Sequence, residues 1–329
     1  MDRIPLSNSA FEGDNNAYLF DAEAVVLVDT GDWMDTTREQ LEAAFAERDL
    51  TFSDVDRILL THWHHDHTGL AGAIQAASGA EVYAHAADAP LIEGDEEAWA
   101  SMLDRQERYF EEWGIPEDGR EVLREKAASG DVAVASPDVT TFEDGATFQV
   151  GDVELTAITT SGHADGLTTF AFERDGSREI LTGDALLPVY TPNVGGADVR
   201  VEQPLEKYLR ALEGMVEADY DRAWPGHRDP IDDPAARAAH IIDHHEERAY
   251  RVLDALERLG PADAWTVSAD LFGDLEGIHI LHGPGESYAH LEHLEREGTI
   301  VREDDAYRLA DGVAERLAAR EDDRWPLAY

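Results

Sequence analysis

One stretch, Thr61-His62-Trp63-His64-His65-Asp66-His67, constrains this chain more than any other feature. It follows Arg57 to Thr61, a short apolar run that reads as a buried strand, so the histidines sit on the loop at that strand's end. Four imidazoles and a carboxylate within six residues point to metal binding rather than to a solvated loop. In that setting His62 and His64 reach one metal while Asp66 and His67 turn to a second. Nitrogen and carboxylate oxygen donors at about 2.0–2.2 Å suit zinc, with manganese or iron as alternatives at a sulfur-free site. The chain has no cysteine, which removes disulfides, thiolate ligands and cysteine nucleophiles together. It has two lysines, Lys126 and Lys207, neither after a glycine, so a Walker A nucleotide loop is excluded.

The chain around this cluster alternates strands and helices. Ala17–Phe20 and Ala24–Val28 read as a hairpin, residues 36–48 as a helix, 70–78 as a helix and 81–84 as a strand. From about 88 to 130 the pattern turns helical. Trp99, Met102, Leu103, Gln106, Tyr109, Phe110 and Trp113 fall at helical spacing, and this insertion is expected to fold over the metal-bearing edge as one wall of a pocket. Strands resume at 146–150, 153–159, 167–172 and 179–181, followed by an amphipathic helix over 202–217. A long helix from Pro234 to about Leu259 leads to a tail that reads helix, helix, hairpin, the outline of a winged helix.

Three further residues complete the metal set. His163 in Thr160-Ser161-Gly162-His163, Asp184 in Leu181-Thr182-Gly183-Asp184 and His227 in Pro225-Gly226-His227 each lie just past an expected strand, beside a glycine. Together with the first cluster they resemble the metallo-β-lactamase superfamily, with its His-x-His-x-Asp-His signature followed by His, Asp and His. The resemblance covers residues 15–245. It implies an α/β fold, an αββα sandwich over 1–245 carrying the insertion, with a small winged-helix-like α+β extension over 246–329. It also implies two zinc ions per chain: His62, His64 and His163 on the first, Asp66, His67 and His227 on the second, Asp184 bridging both. Antibiotic-destroying members usually carry a cysteine near that last position; the aspartate here is similar to the glyoxalase II, lactonase and nuclease branches.

Such a site implies a hydrolase in which a metal-bridging hydroxide attacks a small thioester, ester or lactone. No Gly-x-Ser-x-Gly elbow is present to suggest a serine nucleophile. Asp66 is expected to orient the hydroxide as well as to ligate, and Tyr190 to donate to a developing oxyanion, with Asn193 also facing the substrate. Asp29 and His85 are candidate braces for the ligand loops, His65 is expected not to ligate, and His244 and His245 to be surface or packing residues. The alternative reaction is phosphodiester cleavage by an endoribonuclease of the same family. Against it, no stretch of the chain is basic, and the tail helix around Tyr288 to Glu295 carries acids where phosphate contacts would sit. The tail is therefore expected to pack or to form a homodimer rather than to bind DNA.

The net charge of −45, spread along the whole chain, accompanies 43% hydrophobic residues and periodic apolar faces, so it belongs to a folded protein. It is expected of a halophilic, cytoplasmic enzyme, where molar salt screens self-repulsion over about 3 Å. The first residues lack a basic segment followed by an apolar one, so no secretory signal is expected. No run of about 18 apolar residues suggests a membrane span.

Overall fold

The computed structural model describes residues 1–8, 13–129 and 135–319. The last residues of the expected insertion, near 130, and the tail beyond 319 lie outside the described residues. Two sheets form the centre. The first has six strands in sequential order: β1 (Asp2–Leu6), β2 (Asn15–Asp21), β3 (Val25–Val28), β4 (Arg57–Leu59), β5 (Glu81–His85) and β6 (Val139–Phe142). The second runs β11 (Arg222–Pro225), β10 (Ser177–Gly183), β9 (Thr168–Arg174), β8 (Val153–Thr159) and β7 (Thr147–Val150).

Side-chain alternation explains why these strands stack as two layers. Along β3, Val26 and Val28 join Phe142, Phe148, Leu155, Phe170 and Leu181 in an apolar layer between the sheets. Val25 and Leu27 point the other way, into the helix-covered face. A strand that is apolar on both sides must be covered on both sides, and helices supply that cover. On the first sheet these are α1 (Asp35–Ala46), the short α2 (His65–Thr68), α3 (Ala71–Ser78) and α4 (Ala89–Ile92). The insertion supplies α5 (Glu96–Glu112) and α6 (Glu117–Ser129); α7 (Pro204–Ala218) and α8 (Pro234–Leu259) lie on the second sheet's side. No described helix is long and apolar enough to cross a membrane.

The C-terminal region contains α9 (Ala264–Phe272), α10 (His279–Arg296), the hairpin of β12 (Ile300–Glu303) and β13 (Ala306–Leu309), and α11 (Val313–Ala318). Residue 245 falls inside α8, which runs unbroken, and the same apolar core includes Leu41 of α1, Leu212 of α7 and Leu291 of α10.

The insertion does less over the metal edge than its aromatic content suggested. Met102, Phe110 and Trp113 are buried, and Tyr109 and Trp113 pack on Tyr288 of α10, with ring centroids 5.4 and 5.6 Å away. Helix α5 meets the loop of residues 62–67 through Trp99, near its start. That ring lies 5.5 Å from Trp63 and stacks on His65 at 5.9 Å. The end of α5 therefore packs on the C-terminal region through Tyr109 and Trp113.

Candidate metal centre

The edge where the strands end gathers all seven candidate ligands. Residues 62–67 leave β4, His163 follows β8, Asp184 follows β10 and His227 follows β11. Three groups of ligand atoms each lie within 4.8 Å of one another: His62, His64 and His163; His62, His67 and Asp184; and Asp66, His67 and His227. Within them His64 Nδ1 lies 2.9 Å from His62 Nε2 and 3.0 Å from His163 Nε2. Asp184 spans the groups, with Oδ1 3.4 Å from His67 Nε2 and Oδ2 3.5 Å from His163 Nε2 and 3.6 Å from His227 Nε2. Asp66 Oδ2 is 3.4 Å from His227 Nε2. His64 and Asp66 alone among the seven are partly exposed, so they mark the mouth.

Four of the five imidazoles are turned by a partner on the nitrogen away from the cluster. His67 Nδ1 donates to Asp29 at 2.8 Å, His163 Nδ1 to the Asn193 carbonyl at 2.8 Å, and His227 Nδ1 to the Gly13 carbonyl at 2.9 Å. His62 Nδ1 faces the Thr61 hydroxyl at 3.1 Å, and that hydroxyl donates to Asp29. These bonds leave the Nε2 lone pairs of His62, His67, His163 and His227 converging on one space. Backbone shape contributes too: a side chain at position 226 would meet Asp184 Oδ1 at 2.5 Å and His67 at 2.7 Å, so only glycine leaves the space open.

The electrostatics of this space favour cations. Burial pushes His62 well below its ordinary value and His64 down to about 3, with neighbouring imidazoles adding to the effect. Burial acts the same way on His67 and His227, but Asp184 and Asp66 outweigh it, raising His67 and lifting His227 to about 10. Burial would raise Asp184 and Asp66; the facing His67 and His227 reverse this and hold both carboxyls below their usual range. Carboxylates gathered here demand positive charge. Buried His67 Nε2, His227 Nε2 and Asp184 Oδ1 make no hydrogen bond, so three polar atoms converge with their bonding capacity unspent. The donor set therefore fits a divalent ion.

Other expected residues divide. Asp29 braces His67 and the Thr61 amide. His65 belongs to none of the three groups and packs between Trp33 and Trp99. His85 contacts the Ala87 amide and lies 3.6 Å from Glu143, apart from the ligands. Tyr190 lies under the Arg228 guanidinium, 4.9 Å from its ring centre, next in sequence to His227. Asn193 faces inward to α10 through its side chain, not outward to substrate. His245 is fully buried against His290, whereas His244 is half-buried and accepts from Arg248 at 2.8 Å.

Sequence reasoning missed a clamp. Asp88 and Asp198 flank Arg200, whose guanidinium is 2.6 Å from the first and 2.5 Å from the second. Asp88 also accepts from the Trp63 and Gly166 amides, and Asp198 from the Trp63 indole and the Asp165 amide. One ion triad thus ties the loop of His62–His67 to the loop of His163. Asp88 lies more than a hundred residues before Asp198 and Arg200 and none of the three sits in a motif, so only the fold reveals their meeting.

Comparison with known proteins agrees with this geometry. The sequence profile of the metallo-beta-lactamase superfamily matches residues 10–227. A probable metallo-hydrolase, YqjP of Bacillus subtilis strain 168, is 27% identical over 300 residues, 88% of this chain and 90% of that one. The crystal structure of the metallo-beta-lactamase family protein TTHA1429 from Thermus thermophilus superposes with a TM-score of 0.78 at 32% identity, covering 94% of this chain and 98% of that one. Thioesterase pkgB of Emericella nidulans is 25% identical over 246 residues, 74% of this chain and 54% of that protein. With that profile matched over residues 10–227 and seven candidate ligands at one strand edge of two stacked sheets, the chain belongs to the metallo-beta-lactamase superfamily of hydrolases.

Proposed function

We propose that the protein is a dinuclear metal hydrolase that cleaves a small thioester, ester or lactone. The observation that carries this reading is Asp184, whose Oδ2 lies near His163 of one histidine group and His227 of the other, with Oδ1 near His67. His62, His64 and His163 would hold one ion and Asp66, His67 and His227 the other, with Asp184 shared. When bound, such ions lower the pKa of water towards neutrality and polarise the substrate carbonyl. Zinc is the proposed metal, from the His and carboxylate donors.

The chain's own residues do the rest. Asp66, at the partly exposed mouth, accepts from the Asn15 side chain at 3.2 Å, which fixes the orientation of its carboxylate towards the attacking water. Tyr190, held under Arg228, is the proposed donor to the developing oxyanion. Trp33, His65 and Trp99 form an aromatic wall beside that mouth, suited to an acyl group. The relative named a thioesterase favours the acyl substrate, as does the acidic chain, which offers nucleic acid no basic surface.

Two measurements test this reading. The purified protein is assayed against S-acyl thiols, lactones, a bis(aryl) phosphodiester and RNA in about 2 M KCl, a buffer chosen on the proposal of a halophilic enzyme. Acyl cleavage is expected, and cleavage of RNA alone would replace the proposal with the nuclease reading. In the same assay Trp99→Ala raises KM for a bulky acyl thioester about tenfold while leaving a small activated ester within about twofold; equal effects on both substrates would remove the wall from the account.

Protons and metal compete for the same nitrogens. The facing carboxylates Asp184 and Asp66 raise His67 and lift His227 to about 10, so both hold their protons more tightly than a free imidazole does. Metal uptake near pH 7.5 should release about one to two protons, and affinity should strengthen as pH rises from 6 to 9. Calorimetry in buffers of different ionisation heat measures the release directly; an uptake that liberates none contradicts the charge balance described above.

A further inference from the structure

We infer that Glu286, on α10 in the C-terminal region, is a positioning residue for the metal ligand His163. The inference rests on the reading of His163 as a ligand. Its path is a short chain of hydrogen bonds. His163 Nδ1 donates to the Asn193 carbonyl at 2.8 Å. The Asn193 side chain accepts from the Gly196 and Ala197 amides at 3.1 and 2.8 Å, and donates to the His282 carbonyl and to Glu286 Oε2, both at 3.1 Å. Glu286 Oε1 pairs with Arg248 of α8 at 2.5 Å. The carbonyl that turns His163 is therefore placed by a loop, and the loop is pinned by a buried carboxylate.

The loop also touches α10 backbone to backbone. A side chain at position 285 would meet Gly196 Cα at 2.2 Å, and one at 195 would meet the Gly285 carbonyl at 2.7 Å. Glycine on both surfaces lets the 193–197 loop close to a distance at which polar atoms must be matched. Glu286 is 6% exposed, and a carboxylate so buried destabilises a fold unless it is well partnered. Its partners are Arg248, the Val194 backbone and the side chain of Asn193, the residue whose main-chain carbonyl turns His163. His245, Glu286 and His290 also bring ligand atoms together. The Arg248 cation on that carboxylate makes the cluster a hydrogen-bond anchor rather than a further metal site.

The test uses the full chain and zinc, with stoichiometry and affinity measured by chelator competition. Wild type should bind two ions. Glu286→Ala and Asn193→Ala should weaken one of them about 10- to 100-fold and spare the other, as expected for groups that orient a ligand. The ion affected should be the one lost in His163→Ala, and adding Glu286→Ala to His163→Ala should cause no further loss. Leu294→Ala, which removes buried apolar volume from the same helix, is the control for general destabilisation and should leave both affinities unchanged. If Glu286→Ala does not fold, Glu286→Gln, which keeps the volume and one acceptor, makes the same comparison. Glu286 variants that bind both ions as wild type does, or that weaken both ions alike, overturn the inference. If His163→Ala itself retains both ions at full affinity, the assignment of His163 as a ligand fails, and the inference falls with it.

Discussion

Replacing Asp184 with asparagine is expected to lower kcat/KM by about 10³-fold or more, a barrier increase of at least about 4 kcal/mol. Asparagine keeps the shape but removes the charge that faces His67, His163 and His227 at 3.4 to 3.6 Å. It also puts an amide nitrogen where a ligand oxygen belongs. Because Asp184 contacts both histidine groups, the loss should extend to metal content, with fewer than two ions retained after gel filtration. The fold should survive, because the apolar layers between and around the sheets do not involve this residue. Activity within tenfold of wild type, with two ions still bound, would exclude Asp184 as the bridge.

Lowering KCl from about 3 M to 0.1 M is expected to reduce the melting temperature by about 10 °C or more. The net charge of −45 is self-repulsive, and the Debye length grows from a few ångströms to about 10 Å over that range. Ion pairs do not offset it. Several have acidic members that remain in water, such as Asp229 at 87% and Asp232 at 82% side-chain exposure, and such pairs contribute about 0–1 kcal/mol. A few kcal/mol of unscreened repulsion converts to a shift of this size for a chain of this length. A melting temperature flat across the range would remove the proposal of halophily.

The metal-bearing edge was legible because its signal is local. Glycine beside ligand, strand before ligand and four histidines in six residues can be read without knowing the fold. Strand β8 matches its expected span, and β10 contains its expected core, since each is an apolar run bounded by turn residues. β1 was missed because Asp2–Leu6 is short and contains Pro5, which suits an edge strand and weakens any strand signal. β6 was missed for a similar reason: two of its four residues, Thr140 and Thr141, are exposed, so no apolar run announces it. Asn193 was read as facing substrate because it follows Asp184 closely. Its partner on α10 lies 93 residues downstream, a distance no local pattern spans. Asp88, Asp198 and Arg200 were silent because each is a common residue whose role exists only in their meeting.

One helix gives the molecule a property that no single site has. Near its start α8 holds the Leu187 and Tyr190 carbonyls through Arg237, at 2.7 and 2.9 Å; midway Arg248 holds Glu286; near its end Arg258 pairs with Asp270 of α9. The same rod thus holds the loop that follows Asp184 and the tail at once. A tail attached this way is no interchangeable cassette. Its inheritance is tied to that of the body, since a tail borrowed from another chain would arrive without the half of the rod that holds the 187–190 loop.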